Sequence, residues 1–148
     1  EGEVDLSPIT HPETGLYSQT FLEAHLQRQI EQSVVRGEPL TVMVICDPSR
    51  ESLDAADKNC ISDLILSGLR ETDLPAFIEA DTFAISLPAT SYKGATQVCE
   101  RLFGTLEQSA SSLKTHLGWR IIEKRAHHDA VTLLRDATSG VFQKSRTG

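Results

Sequence analysis

No stretch of this sequence is apolar for long enough to cross a bilayer. The longest uninterrupted run, VMVIC at 42–46, falls far short of the about 20 residues a spanning helix needs, and no signal-peptide pattern opens the chain. Cysteine is scarce too. Cys46, Cys60 and Cys99 form no CxxC pair, and an odd, widely spaced set is expected to persist as reduced thiols, which places the chain in the cytoplasm. Basic charge is in deficit. A net charge of -7 and a pI near 5.2 exclude a groove that tracks nucleic-acid phosphates, because such grooves need clustered Lys and Arg. A small anion can still be held where two or three arginines meet. No nucleophile-elbow pattern supports a hydrolase. His127, His128 and Asp129 lack a suitably spaced fourth ligand and are read as capping or solvated groups, so no metal is expected there. Internal repeats and low-complexity tracts are absent as well.

What is present is enough for one ordinary domain of 148 residues. Residues 1–13 mix acids with two prolines and show no sustained period, so they read as a linker from an upstream domain, with the domain itself at 14–148. From Thr20, the residues Phe21, Leu22, Leu26, Ile30 and Val34 recur at helical spacing, and Gly37 with Pro39 supplies the stop. LTVMVIC at 40–46 is β-branched, too short for a helix, and apolar enough for a central strand buried on both faces. Ile61, Leu64, Ile65 and Leu69 restore the helical period. PAFI and FAISL, separated by EADT, read as a hairpin. Ala95, Val98, Cys99, Leu102, Phe103 and Leu106 mark a third helix, LGWRII at 117–122 a last strand, and Ala130, Leu133, Leu134, Ala137 and Val141 a closing helix. The core order is β-α-β-β-α-β. The fold class is therefore α+β, a ferredoxin-like or palm-type antiparallel sheet with core helices on one face and flanking helices outside the core.

Four islands in order carry a resemblance. HPETGLYSQTFLEAHL, GEPLTVMVIC, RETDLPAFIEADTFAISLPAT and DATSGVFQKSR together resemble a GGDEF domain, the diguanylate cyclase family, over roughly residues 11 to 146. Thr14, Gly15, Leu16 and Phe21 match the family's opening motif. Glu79, Ala80, Asp81, Thr82 and Phe83 stand where the signature should be. The resemblance implies a cyclase that holds two metal ions with carboxylates, one at the end of the first strand and one at the fourth signature position. Magnesium needs hard oxygen ligands of that kind. Here Cys46 falls on the first position, or Asp47 if the register slips by one, and Thr82 falls on the second.

Other departures accumulate on the same site. Both signature glycines are replaced, and Glu79 adds a charge that repels a triphosphate. Only 32 residues separate Cys46 from Glu79, short for the family, so its guanine- and phosphate-contacting stretch is missing. His116 replaces a serine, and Ser145 replaces the closing lysine, with Lys144 and Arg146 beside it. The expectation is an enzyme-derived domain without cyclase activity and without a cofactor.

The R-x-x-D motif of the family's inhibitory site is intact as Arg70-Glu71-Thr72-Asp73, and Arg101 falls where a further arginine completes that site. A guanidinium fork matches the O6 and N7 acceptors of guanine or two phosphate oxygens, while a carboxylate accepts from guanine N1 and N2 hydrogens. The expected ligand is thus cyclic di-GMP at Arg70, Asp73 and Arg101, with occupancy passed to an upstream regulatory domain or a protein partner. The alternative is a nucleotide-free interaction or homodimerisation module. In that case Arg70 and Asp73 form only a local surface ion pair.

Overall fold

A computed structural model of the protein describes residues 16–46, 55–70, 72–78, 82–114, 117–139 and 143–144. The 1–13 linker, Thr14, Gly15, Asp47, Glu71, Glu79, Ala80, Asp81, His116, Val141, Ser145 and Arg146 lie outside the described residues.

Helix α1 runs Gln19–Arg36. The Ser18 hydroxyl accepts from the Phe21 N–H at its start, and Gly37 ends it at φ 68, a left-handed conformation that a residue without Cβ adopts freely. Leu22, Leu26 and Ile30 point inward as expected, but Val34 is exposed and Ser33 is the buried residue of the last turn. The backbone then forms β1 (Leu40–Cys46), α2 (Ala55–Gly68), β2 (Leu74–Ile78), β3 (Thr82–Pro88), α3 (Tyr92–Lys114), β4 (Gly118–Glu123), α4 (Ala130–Thr138) and β5 (Gln143–Lys144). The β1-α2-β2-β3-α3-β4 segment is the expected split β-α-β core. All strand pairings are antiparallel, in the order β2-β3-β1-β4-β5.

The sheet is covered on both sides. Met43, Ile45, Phe83, Ile85 and Leu87 pack with Ile61 and Ile65 of α2 and Cys99 and Leu102 of α3. Val42, Val44, Ala76 and Ala84, pointing the other way, pack with Leu22 and Leu26 of α1 and Leu133 and Leu134 of α4. One-faced packing holds only for the two helices of the core. The flanking pair seals the opposite face, which is why β1 reads as a continuous apolar run rather than an alternating one. Residues 16 and 17 pin the entering chain to the edge strand, with the Tyr17 N–H donating to the Pro75 carbonyl and the Phe77 N–H to the Tyr17 carbonyl.

The closing helix is shorter than expected. Its period continues toward Val141, yet α4 stops at Thr138, where Ser139 is extended, and Gln143–Lys144 pair with β4 instead. Its start is a reciprocal cap. The Asp129 carboxylate accepts from the Thr132 N–H, and the Thr132 hydroxyl accepts from the Asp129 N–H. The Thr132 backbone bond, then its hydroxyl, hold the Asp129 carboxyl below its ordinary range, and the His128 hydrogen bond does the same first of all for Asp136. A folded-state pKa below the unfolded value means stability that is present above pH of about 4 and lost as pH falls through the folded value. Thermal melts between pH 7 and 3 should therefore show a smaller acid loss for Asp129→Asn than for the unaltered chain, since Asn caps equally well at neutral pH. Superimposable profiles would remove Asp129 from the account.

Candidate functional site

Two groups of residues lie at opposite ends of the central strands. At one end, register sets Ile45 of β1 against Phe83 of β3, so the strand ends bearing Cys46 and Thr82 are brought side by side. Residues 79–81 connect Ile78 to Thr82, which are paired across the β2–β3 hairpin. Thr82 is buried and opens β3, and Phe83 is fully buried in the core. Among the described residues, this end offers a thiol and a hydroxyl where the resemblance implies carboxylates. That donor set does not fit magnesium, which takes hard, anionic oxygens.

At the other end stands the R-x-x-D turn. The chain leaves α2 at Gly68 and enters β2 at Leu74, and the turn closes with the Asp73 N–H donating to the Arg70 carbonyl at 3.1 Å. Asp73 Oδ2 accepts from the Arg70 backbone N–H at 2.9 Å. Its Oδ1 accepts from Arg70 Nη2 at 2.7 Å and Nε at 3.2 Å. The Asp73 side chain is only 3% exposed, whereas that of Arg70 is 55% exposed. The Asp73 hydrogen bond raises the Arg70 pKa above its ordinary value, so the guanidinium is permanently charged.

The local ion pair is thus formed, and both oxygens of the carboxylate expected to read guanine accept from Arg70. In this arrangement the buried Asp73 carboxylate fixes the orientation of the Arg70 guanidinium. Sequence spacing placed the two groups correctly but could not show that the shorter one would be buried beneath the longer.

Arg101 arrives from α3. Its Nη2 donates to the Gly68 carbonyl at 2.9 Å, the last residue of α2, where helical carbonyls lack intrahelical partners and the helix dipole favours a cation. Gly68 also lies close under α3, where a Cβ would meet Leu102 Cδ2 at 3.0 Å. Arg101 thus bonds the last carbonyl of α2, and Arg70 follows two residues later in the chain with Asp73 behind it. Thr90, the last residue of the LPAT island and not among the expected site residues, also belongs to this site: its hydroxyl accepts from Arg70 Nη2 at 2.9 Å, and the Pro88 carbonyl accepts from the same nitrogen at 3.0 Å.

The histidine pair is not capping or solvated throughout. His127 is exposed, but His128 is buried, its Nδ1 accepting from the Arg125 N–H at 2.9 Å and its Nε2 lying 2.8 Å from Asp136 Oδ2. An Nδ1 that accepts leaves the neutral ring's proton on Nε2, pointed at Asp136, so the His127, His128 and Asp136 cluster has no His128 lone pair to offer an ion. Cys46 and Cys60 are partly buried and Cys99 is buried; burial first, then Glu100, pushes the Cys99 thiol up to about 12. Trp119 packs against the α2–α3 side of the core. No helix among the described residues is long and apolar enough to cross a membrane.

No protein-family model and no curated protein matches the sequence. Solved structures do. The GGDEF domain of DgcB from Caulobacter crescentus, solved in complex with cyclic di-GMP, superposes with a TM-score of 0.76 at 12% identity, over 93% of this chain and 87% of that one. The chain has the GGDEF-domain fold. A truncated TpbB (YfiN) from Pseudomonas aeruginosa comprising only the GGDEF domain gives a TM-score of 0.72 at 23% identity, covering 86% of this chain and 83% of that one. The GGDEF domain of FimX from the same organism gives 0.68 at 17% identity, covering 86% and 88%. Within this fold, Cys46 and Thr82 lie at the β2–β3 hairpin end of the sheet, and the Arg70 turn lies at the far end of the same strands.

Proposed function

We propose that this chain is a catalytically inactive GGDEF domain that acts as a cyclic di-GMP receptor through Arg70 and Arg101, with Asp73 holding Arg70 in place. The observation that carries the proposal is an exposed guanidinium, Arg70, locked by a buried carboxylate two residues beyond the end of α2, where Arg101 bonds the last helical carbonyl. A charged fork held by its inner edge presents its outer edge to guanine O6 and N7 or to phosphodiester oxygens, with less side-chain freedom to lose on binding. That DgcB was solved with cyclic di-GMP supports the choice of ligand. SiaD, solved with its activator SiaC, supports a protein partner as the recipient of the signal. Signalling of this kind belongs in the cytoplasm, with occupancy relayed to a neighbouring domain, a partner or a second copy. The test is calorimetric titration of cyclic di-GMP, with cyclic di-AMP as the comparison. Saturable heat for the guanine ligand alone supports the proposal.

Inactivity follows from donor chemistry. With Cys46, or Asp47 if the register slips by one, at the first carboxylate position, Thr82 at the second, Glu79 and Ala80 in place of glycines, and a shortened β1-to-signature interval, the chain lacks the pair of carboxylates that would position two metal ions on a triphosphate. GTP incubated with the protein and magnesium or manganese should yield no linear or cyclic dinucleotide by chromatography beyond a no-enzyme blank. Product above the blank would sink this half of the proposal. A second reading has its own support: Arg70 already makes its bonds within the fold, as expected of a structural latch in a nucleotide-free interaction or dimerisation module. Absence of heat at high micromolar ligand would select it.

A further inference from the structure

The guanidinium of Arg70 has two usable edges. The inner edge, Nε with Nη2, faces the Asp73 carboxylate. The outer edge, Nη1 with Nη2, is the one left for a ligand, but Nη2 also donates to the Pro88 carbonyl and the Thr90 hydroxyl. A ligand that takes the outer edge bidentately competes with Pro88 and Thr90 and leaves Asp73 undisturbed.

The segment it competes with is strained. Ala89 sits at φ 54, the one non-glycine residue with positive φ among those described, in a region where Cβ crowds the following carbonyl. Hydrogen bonds hold it on either side: the Thr90 hydroxyl donates to the Pro88 carbonyl at 2.9 Å, the Thr90 N–H to the Pro39 carbonyl at 3.2 Å, and the Thr41 hydroxyl to the Thr90 carbonyl at 2.6 Å. Directly beyond it α3 begins, with the Ser91 hydroxyl accepting from the Gly94 N–H, the Ser91 carbonyl from the Ala95 N–H, and Glu123 Oε1 from the Tyr92 N–H.

We infer that Arg70 latches the α2–β2 turn to the β3–α3 corner at Pro88–Thr90, and that a bidentate ligand on its outer edge unlatches this corner and loosens the start of α3. This deepens the receptor proposal and rests on it for the identity of the ligand. It also names Thr90 as a positioning residue that opposes binding. A ligand shifts an equilibrium only by its differential affinity for the two states. Here the difference is the pair of Arg70 bonds to the corner that the bound state gives up.

Thr90→Val keeps the shape and removes the hydroxyl, so cyclic di-GMP should bind about two- to tenfold more tightly by calorimetry, one of the three bonds shared by the charged Arg70 Nη2 no longer having to be broken. Thr90→Ser should match the unaltered chain. General damage to the fold would weaken binding instead. Hydrogen exchange of the amides of residues 90–95 should rise in ligand-free Arg70→Lys, which loses the fork, and in the unaltered chain on saturation with cyclic di-GMP. Unchanged or weaker binding by Thr90→Val, or saturation without faster exchange at 90–95, would overturn the inference while leaving the receptor proposal standing. If cyclic di-GMP gives no heat, the receptor proposal fails, and the latch is decided by the ligand-free pair: equal exchange in Arg70→Lys and the unaltered chain overturns it.

Discussion

Arg70→Ala is expected to bind cyclic di-GMP at least tenfold more weakly than the unaltered chain, a loss of roughly 1.5 to 3 kcal/mol for a charge-assisted bidentate contact. The size follows from what is removed. Arg70 supplies the only fork in the turn that is both exposed and permanently charged, and Arg101 alone offers the ligand a single guanidinium already engaged by the Gly68 carbonyl. Removing Arg70 also strips Asp73 of its guanidinium partner, leaving a buried carboxylate whose remaining donor among the described residues is the residue-70 backbone N–H. Circular dichroism and a thermal melt of the variant belong beside the titration, so that lost binding is not confused with lost fold. Glu79→Ala is the matched comparison, a charge change at the signature end of the sheet that should leave the affinity as it is. An Arg70→Ala titration curve that overlays the unaltered one would show the site to be elsewhere.

The other large effect concerns stability. Phe83→Ala should destabilise the domain by about 3 to 5 kcal/mol, the range for deleting a buried aromatic ring. Phe83 is fully buried in β3, opposite Phe77 on one neighbouring strand and Ile45 on the other. Its ring meets that of Phe77 edge to face, with centroids 4.9 Å apart. Phe83 is therefore a core anchor on the α2–α3 side of the sheet. Urea titration reads the effect directly, as a lower midpoint at unchanged slope. Val35→Ala, at a position 85% exposed, should stay within about 0.5 kcal/mol of the parent and sets the scale. A Phe83→Ala midpoint as little shifted as that of Val35→Ala would mean that the ring is not packed as described.

Legibility in the sequence varied from element to element for physical reasons. β1 was read at its true bounds because a strand buried on both faces leaves an unbroken β-branched run. α1 was read to its end because Gly37 is a backbone requirement as much as a composition signal. The first turns of α2, Ala55 to Cys60, precede its apolar period, and β5 is two residues long, so neither had a pattern to find. The apolar period at the chain's end continued toward Val141, but hydrophobic spacing does not record where a backbone turns extended, as it does at Ser139.

The candidate site divides along the same line. Residue types and spacing by themselves determined the β-α-β-β-α-β order, the presence of Cys46 at the end of β1 and Thr82 at the start of β3, and the presence of Arg70 and Asp73 three residues apart, because each is a local property of the chain. Only the tertiary structure decided that α1 and α4 close the second face of the sheet. It also decided that Arg101 reaches the carbonyl of Gly68 33 residues away, that Asp73 is buried beneath Arg70, and that Thr90 shares the same guanidinium. Those facts depend on strand order and register, which bring the start of β2 beside the end of β3, and long-range pairing of that kind leaves no periodic trace in either segment alone.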